Sequence, residues 1–202
     1  MRRDSKIIAL RKSMSITPEI IHQCIGDDRK AINIMYEHCF RLLMPVCFRY
    51  NNNEVDAQSA YNSGFIKILK ALEKLDENVN FDAWARRVMV NTLIDEYRKN
   101  KKYNSRITKS DSDRELDYYS EGQSNDAESN LGYANIMMLV KELPTTTAHV
   151  FNLYVIEGYS HKEIGSKMEM SEGTSKWHLS TARKMLREKL DRLENHNQRM
   201  VI

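Results

Sequence analysis

The sequence predicts an all-α protein built as two small helical domains joined by a flexible acidic linker. Three observations carry that expectation. Turn formers are scarce, with 7 Gly and 3 Pro (Pro18, Pro45 and Pro144) in 202 residues, while the plentiful Leu, Met, Glu, Lys and Arg favour helices with short connections. Apolar residues recur at spacings of three and four in segment after segment. Between Ser110 and Ser129 that periodicity stops: the stretch holds seven Asp/Glu, one Arg and one branched aliphatic, Leu116. Such a segment cannot build a core, and so long a loop is uncommon inside a compact domain. An apolar share of 41% suits two modest cores better than one large one.

Taken in order, residues 1–16 carry five Lys/Arg against one Asp without periodicity and read as a basic arm or solvated terminus. Thr17-Pro18-Glu19 is a helix start, with a capping hydroxyl, proline in the first turn and an acid favoured by the helix dipole. Gly26-Asp27 breaks and recaps the chain. The next segment aligns Ala31, Ile34, Met35, His38, Cys39, Leu42 and Val46 on one face. A further one aligns Ala57, Ala60, Tyr61, Gly64, Phe65, Ile68, Leu69, Leu72 and Leu75. After the polar turn at 76–80 comes a helix from about Asp82 to Lys99 that carries Trp84, Val88, Leu93 and Ile94. These stripes can be buried only against one another, so residues 17–103 should form one bundle. Residues 104–130 form the linker. Helical periodicity resumes at Leu131 and runs to about Leu143, then from Thr145 to about Ile156. Glu157-Gly158-Tyr159 turns the chain. Ser160 caps a short helix, with Glu163 completing a capping box and Ile164 and Met168 facing inward. Ser171 caps a long last helix with Trp177, Leu179, Ala182, Met185, Leu186, Leu190 and Leu193 at its apolar positions. Residues 131–195 make the second domain and 196–202 a tail.

Whole-chain chemistry excludes several classes. A formal charge of +3 says little as a total; clustered charge is what binds a polyanion. Cys24, Cys39 and Cys47 lie in apolar helical surroundings without CxxC or Cys/His spacing, which points to buried reduced thiols and no metal site. No window approaches 18 apolar residues, and the basic start lacks an apolar signal core and a cleavage site, so no membrane insertion and a cytoplasmic location are expected. The six histidines form no ligand or triad pattern, no Gly-rich phosphate loop is present, and no paired acids sit in an apolar context. An enzyme is therefore not expected, nor a cofactor.

Two elements carry function. In Tyr159–Lys176 a short capped helix, a tight turn and a second capped helix make a helix-turn-helix. Gly165 lets the helices approach, and Met170 plugs the turn into the core. The second helix offers Glu172, Thr174, Lys176, Trp177 and Ser180 where a recognition helix meets base edges, followed by Arg183, Lys184 and Arg187 as phosphate contacts. The other element is Asn80–Lys99. From Arg86 to Lys109 eight Lys/Arg face two acids, interleaved with Trp84 and Tyr97. Positive charge tracks a nucleic-acid backbone, while aromatic and amide groups stack on or bond to unpaired bases.

Both elements resemble the extracytoplasmic-function (group IV) sigma factors of the sigma-70 family. DAQSAYNSGFIKILKAL (56–72) resembles region 2.2, FDAWARRVMVNTLIDEYRKNKK (81–102) regions 2.3 and 2.4, and the segment 142–190 region 4. The matches cover roughly 24–102 and 131–190, in family order, flanking an acidic linker of family length. The resemblance implies an RNA polymerase sigma factor that binds core polymerase, recognises −35 and −10 promoter elements, melts the DNA and starts transcription of a particular regulon. It implies docking on the β′ clamp helices and β flap, with Asp56, Asn62, Phe65, Lys67 and Lys70 in the region 2.2 contact. It implies −10 contacts from Asn80, Trp84, Arg87, Asn91, Arg98, Lys99 and Lys101. For the −35 element it implies Glu172, Thr174, Lys176, Trp177, Ser180, Thr181, Arg183, Lys184 and Arg187. An anti-sigma protein or a response regulator is the controlling partner such factors commonly have.

The chain also departs from the family pattern. Asn62-Ser63 stands where a Gln and an acid are usual. Trp177 and Thr181 occupy positions that often hold Ser and Arg, His178 replaces a common Arg, and Ser175 replaces a usual Val. The alternative reading is a stand-alone helix-turn-helix regulator, which would have no use for the Asn80–Lys102 element.

Overall fold

The computed structural model describes residues 15–51, 53–76, 78–107 and 131–200. The basic arm up to residue 14 and the acidic stretch from 108 to 130 lie outside the described residues. The described secondary structure is helical: α1 (Pro18–Ile25), α2 (Arg29–Tyr50), α3 (Glu54–Ala71) with a 3-10 turn (Leu72–Lys74), α4 (Phe81–Ile107), α5 (Leu131–Lys141), α6 (Thr145–Phe151) running into a π segment (Asn152–Ile156), α7 (His161–Met168) and α8 (Glu172–Met200). By internal contacts the chain divides into two units. One holds the described residues through Phe48 together with Glu54–Glu96; the other holds Arg49–Asn53 and the described residues from Tyr97 onward.

In the first unit the helix starts differ in detail from the sequence expectation. Thr17 sits in the extended N-cap position with φ −92° and ψ 159°, but its side chain makes no cap hydrogen bond. Its hydroxyl bonds instead to the Glu19 carboxyl, which holds that group below the usual carboxylate range. The recapping residue is Asp28, not Asp27: Asp28 Oδ1 accepts the Ala31 amide at 2.8 Å, while Asp27 takes the left-handed φ of 58° that turns the chain. Asn and Asp tolerate that region better than most residues. The stripes are buried as expected at Ala31, Met35, Cys39 and Val46, and at Ala57, Ala60, Tyr61, Phe65, Ile68 and Leu72. Leu43 and Cys47 join them. All three cysteines are buried thiols outside any disulfide, and burial pushes the Cys39 thiol up to about 12. The Tyr61 hydroxyl donates to the Tyr36 carbonyl at 2.9 Å, so the most deeply buried ring keeps its polar tip satisfied.

In the second unit, Leu139, Val140 and Leu143 of α5 and its end meet Ala148, Val150 and Phe151 of α6, Ile164 and Met168 of α7, and Leu179, Ala182 and Leu186 of α8. The π segment is closed by the Glu157 amide on the Asn152 carbonyl, an i→i+5 bond of 3.0 Å, and Gly158 reverses the chain with φ +75°. Buried polar partners fix this corner. The Arg49 guanidinium pairs with Glu157 at 2.7 Å, both side chains nearly out of solvent. The Asn152 amide donates to the Arg49 carbonyl at 3.2 Å, and the Tyr97 hydroxyl lies 2.6 Å from the Thr146 hydroxyl. Leu190 and Leu193, expected among the apolar positions of α8, stand exposed.

Candidate nucleic-acid interface

The helix-turn-helix is assembled from local chemistry. Ser160 Oγ accepts the Glu163 amide at 3.3 Å, and Glu163 Oε2 accepts the Ser160 amide at 2.8 Å, completing the capping box. At the other end α7 closes on Glu169, in the left-handed conformation with φ 55°, and the Met170 amide bonds the Gly165 carbonyl at 3.0 Å. Ser171 Oγ then accepts the Thr174 amide at 2.9 Å and starts α8. Gly165 is required by proximity: a Cβ there would lie 2.8 Å from the Met170 carbonyl oxygen. Met170, expected as the plug of the turn, is only half-buried; the closeness of the helices comes from the missing side chain at Gly165. Ser175 is fully buried, and its hydroxyl lies 3.0 Å from His161 Nδ1. Where an apolar residue would interlock the two helices by shape, here a hydrogen bond does so.

The outer face of α8 presents a coherent surface. Glu172, Thr174, Lys176, Ser180, Arg183, Lys184 and Arg187 are exposed, and Thr181 is half-buried at the edge. Lys176, Ser180, Arg183 and Arg187 follow one another at steps of four, three and four, which keeps them on one stripe. Lys176 rests on Glu172 at 2.6 Å. Periodicity sets Trp177 among the apolar positions while the helix-turn-helix pattern offers it outward; its side chain is 61% exposed, on the outward side. The adjoining His178 ring meets it edge-on at 4.9 Å, and His178 Nδ1 is held 3.0 Å from the buried Thr147 hydroxyl.

On α4, Asn80 is exposed and its Oδ1 accepts the Ala83 amide at 2.9 Å. It is thus the helix cap, a role the sequence reading had not given it. Trp84 is half-buried, its ring 5.9 Å from that of Phe81. Arg87 is exposed and Asn91 half-buried. The spacing 84, 87, 91, 98, 102 follows helical periodicity, so Lys102 shares that stripe, whereas Lys99 and Lys101, both exposed, fall beside it. Lys102 stands four residues after Arg98. Both reach the Glu169 carboxylate: the Arg98 guanidinium bonds it directly, and Lys102 Nζ lies 3.2 Å away. Glu169 is held below the usual carboxylate range by the Arg98 and then the Lys102 hydrogen bond.

Of the expected docking residues, Asp56, Asn62, Lys67 and Lys70 are exposed on α3, with Lys67 3.6 Å from Asp95. Phe65 is not on that surface. It is 6% exposed and stacks with Tyr61 at 6.0 Å, because the stripe it belongs to faces the core. Among the described residues no cluster of His, Cys, Asp and Glu could hold a metal ion, and no helix is long and apolar enough to cross a membrane.

Two family models match in order: sigma-70 region 2 over residues 35–103 and sigma-70 region 4 over residues 133–186. Together they take in more than half of the chain. The chain belongs to the sigma-70 family of RNA polymerase sigma factors. Within the family the chain resembles the extracytoplasmic-function group: the "ECF RNA polymerase sigma factor SigE" of Mycolicibacterium smegmatis is 24% identical over 145 residues. That match takes in 72% of this chain and 56% of the relative, so the chain spans little more than half the relative's length. Among solved structures, CnrH in complex with the cytosolic domain of CnrY matches with 19% identity and a TM-score of 0.44, over 85% of this chain and 95% of that one. The sigma factor RpoE of Bartonella quintana, in complex with the anti-sigma factor NepR, matches with 15% identity and a TM-score of 0.46, over 77% and 96%.

Proposed function

We propose that this chain is a dissociable polymerase specificity subunit that reads a −35 element with the outer face of α8, captures and opens a −10 element along α4, and docks on core polymerase through α3. The observation that carries the reading is the second sigma region: a doubly capped helix-turn-helix whose α8 turns a polar and cationic stripe to solvent, preceded in the chain by a region 2 match. A repressor that binds duplex DNA alone would have no use for the Trp84–Lys102 stripe.

In this reading Lys176 donates to guanine O6 and N7, and Arg183 and Arg187 meet phosphates. Trp84 and Asn91 face the opened strand, and Asp56, Asn62, Lys67 and Lys70 line the β′ clamp contact. The −10 set keeps Arg87 and Arg98 and gains Lys102, and Asn80 serves it by starting α4 in the right place. The protein works in the cytoplasm, where polymerase is.

The test is co-purification with core polymerase followed by mapping of transcript starts. Holoenzyme binding to single-base −35 variants at two salt concentrations then separates the roles within α8. Lys176→Ala should relax preference at one base pair at a cost of about 1–3 kcal/mol. Arg183→Ala should weaken all variants alike and lower the salt slope by about one. No association with core would end the reading. The same purification would show an inhibitory partner, an anti-sigma protein or a response regulator, as an additional band.

A further inference from the structure

Glu169 stands at a position that disfavours it. It follows the last turn of α7 with φ 55°, where helices commonly end on glycine because a Cβ strains that backbone. A glutamate placed there against local preference suggests a task for its carboxylate, and that carboxylate makes two cationic contacts, with Arg98 and with Lys102. Arg98 and Lys102 stand one helical turn apart on α4, so their head groups converge on one acceptor, as they would on one phosphate. The side chain next to Arg98 pins the donor helix in place. Tyr97, adjacent to Arg98, bonds the Thr146 hydroxyl and meets the buried His149 ring edge-on at 4.6 Å.

We propose that Arg98 and Lys102 form a phosphate-binding site for DNA and that Glu169 occupies this site in the free chain as an internal phosphate mimic. The inference rests on the reading of Arg98 as a DNA contact. A nucleic-acid phosphate and the Glu169 carboxylate compete for the same two cations, so the protein alone binds DNA weakly. Displacement of Glu169 when the chain joins polymerase then makes the site available. The three groups are partly exposed, so the competition is modest in size and sensitive to salt.

The test uses the full chain and a labelled mixed-sequence single-stranded oligonucleotide, since phosphate contacts are independent of sequence. Glu169→Gln should tighten binding by about three- to tenfold at low salt, beyond the effect of Glu188→Gln, which removes the same charge from α8. Glu169→Gly, which keeps the turn and relieves its strain, should match the Gln variant and unfold at a higher temperature. The gain should vanish in an Arg98→Ala background. If Glu169→Gln and Glu169→Gly bind like the parent while Arg98→Ala weakens binding, the mimicry is wrong and the DNA role of Arg98 stands. If Arg98→Ala changes nothing in either background, the DNA role of Arg98 falls, and the proposal with it.

Discussion

His161 Nδ1 lies 3.0 Å from Ser175 Oγ, so the first and second helices of the helix-turn-helix are joined by a hydroxyl with no solvent exposure. A part-buried hydrogen bond of this kind is worth about 0.5–1.5 kcal/mol. Ser175→Ala should therefore destabilise the second unit by about 1 kcal/mol, measured as a shift in denaturant midpoint. An unchanged midpoint would mean that the hydroxyl contributes nothing to holding the two helices.

Two glycines should respond differently to alanine. At Gly165 the new Cβ would press on the Met170 carbonyl, which is backbone and cannot step aside. At Gly64 it would lie 2.5 Å from Met89 Sδ and Cε, the end of a flexible side chain. Gly165→Ala should cost about 1–3 kcal/mol by overpacking. Gly64→Ala should stay within about 1 kcal/mol of the parent, because Met adapts and Ala favours the helix. Chemical denaturation of the two variants side by side decides it, and equal costs would refute the difference in packing.

His149 makes stability depend on pH. Burial lowers its pKa from 6.5 to about 4, only partly offset by its hydrogen bond to the Tyr50 carbonyl. The unfolded chain thus takes up a proton at higher pH than the folded one. Its contribution is fully present above about 6.5, declines as pH falls and is lost by about 4. Between pH 6.5 and pH 5 the parent should lose roughly 2 kcal/mol from this group, at 1.36 kcal/mol per pH unit. His149→Phe, which keeps a ring against Tyr97 and Tyr50, should flatten that slope. The readout is denaturant midpoint as a function of pH, and an unaltered slope in the variant would rule the assignment out.

Trp177, exposed and braced by His178, is positioned to lie against a thymine methyl if α8 reads the −35 element. Replacing single thymines in that element by deoxyuridine deletes the methyl alone. One substitution should weaken holoenzyme binding by about three- to fivefold, the worth of one buried methyl group. Trp177→Ala should be indifferent to the same replacement. Equal sensitivity in both proteins would place the indole away from the bases.

The helices were legible in the sequence because each stripe of α2, α3 and α4 repeats with helical period, and because Ser160, Glu163 and Ser171 announce their caps by residue type and spacing. What was not legible depended on neighbours far along the chain. Leu190 and Leu193 keep the period of α8 yet stand exposed, and Trp177 drew two expectations, core and outward, between which only its exposure decides. Phe65 served two expectations, core and docking, that one side chain cannot meet; its burial decides for the core. Pairing of Glu169 with Arg98 joins residues 71 apart in sequence, across a segment with no periodicity to align them. Asp28 rather than Asp27 as the cap was a matter of one residue, which backbone conformation decides and composition does not.

The π segment Asn152–Ile156 has a consequence for how this family member can vary in length. A π turn is an α-helix carrying one residue more than its ladder needs. Deleting Val155, whose side chain is exposed, would let the ordinary ladder close, and because five π residues turn through about the same angle as four α residues, everything beyond would keep its phase. Glu157 would stay toward Arg49, and the helix-turn-helix beyond Gly158 would keep its direction. The odd residue is therefore slack taken up where it sits: the chain can gain or lose it here without turning α7 and α8.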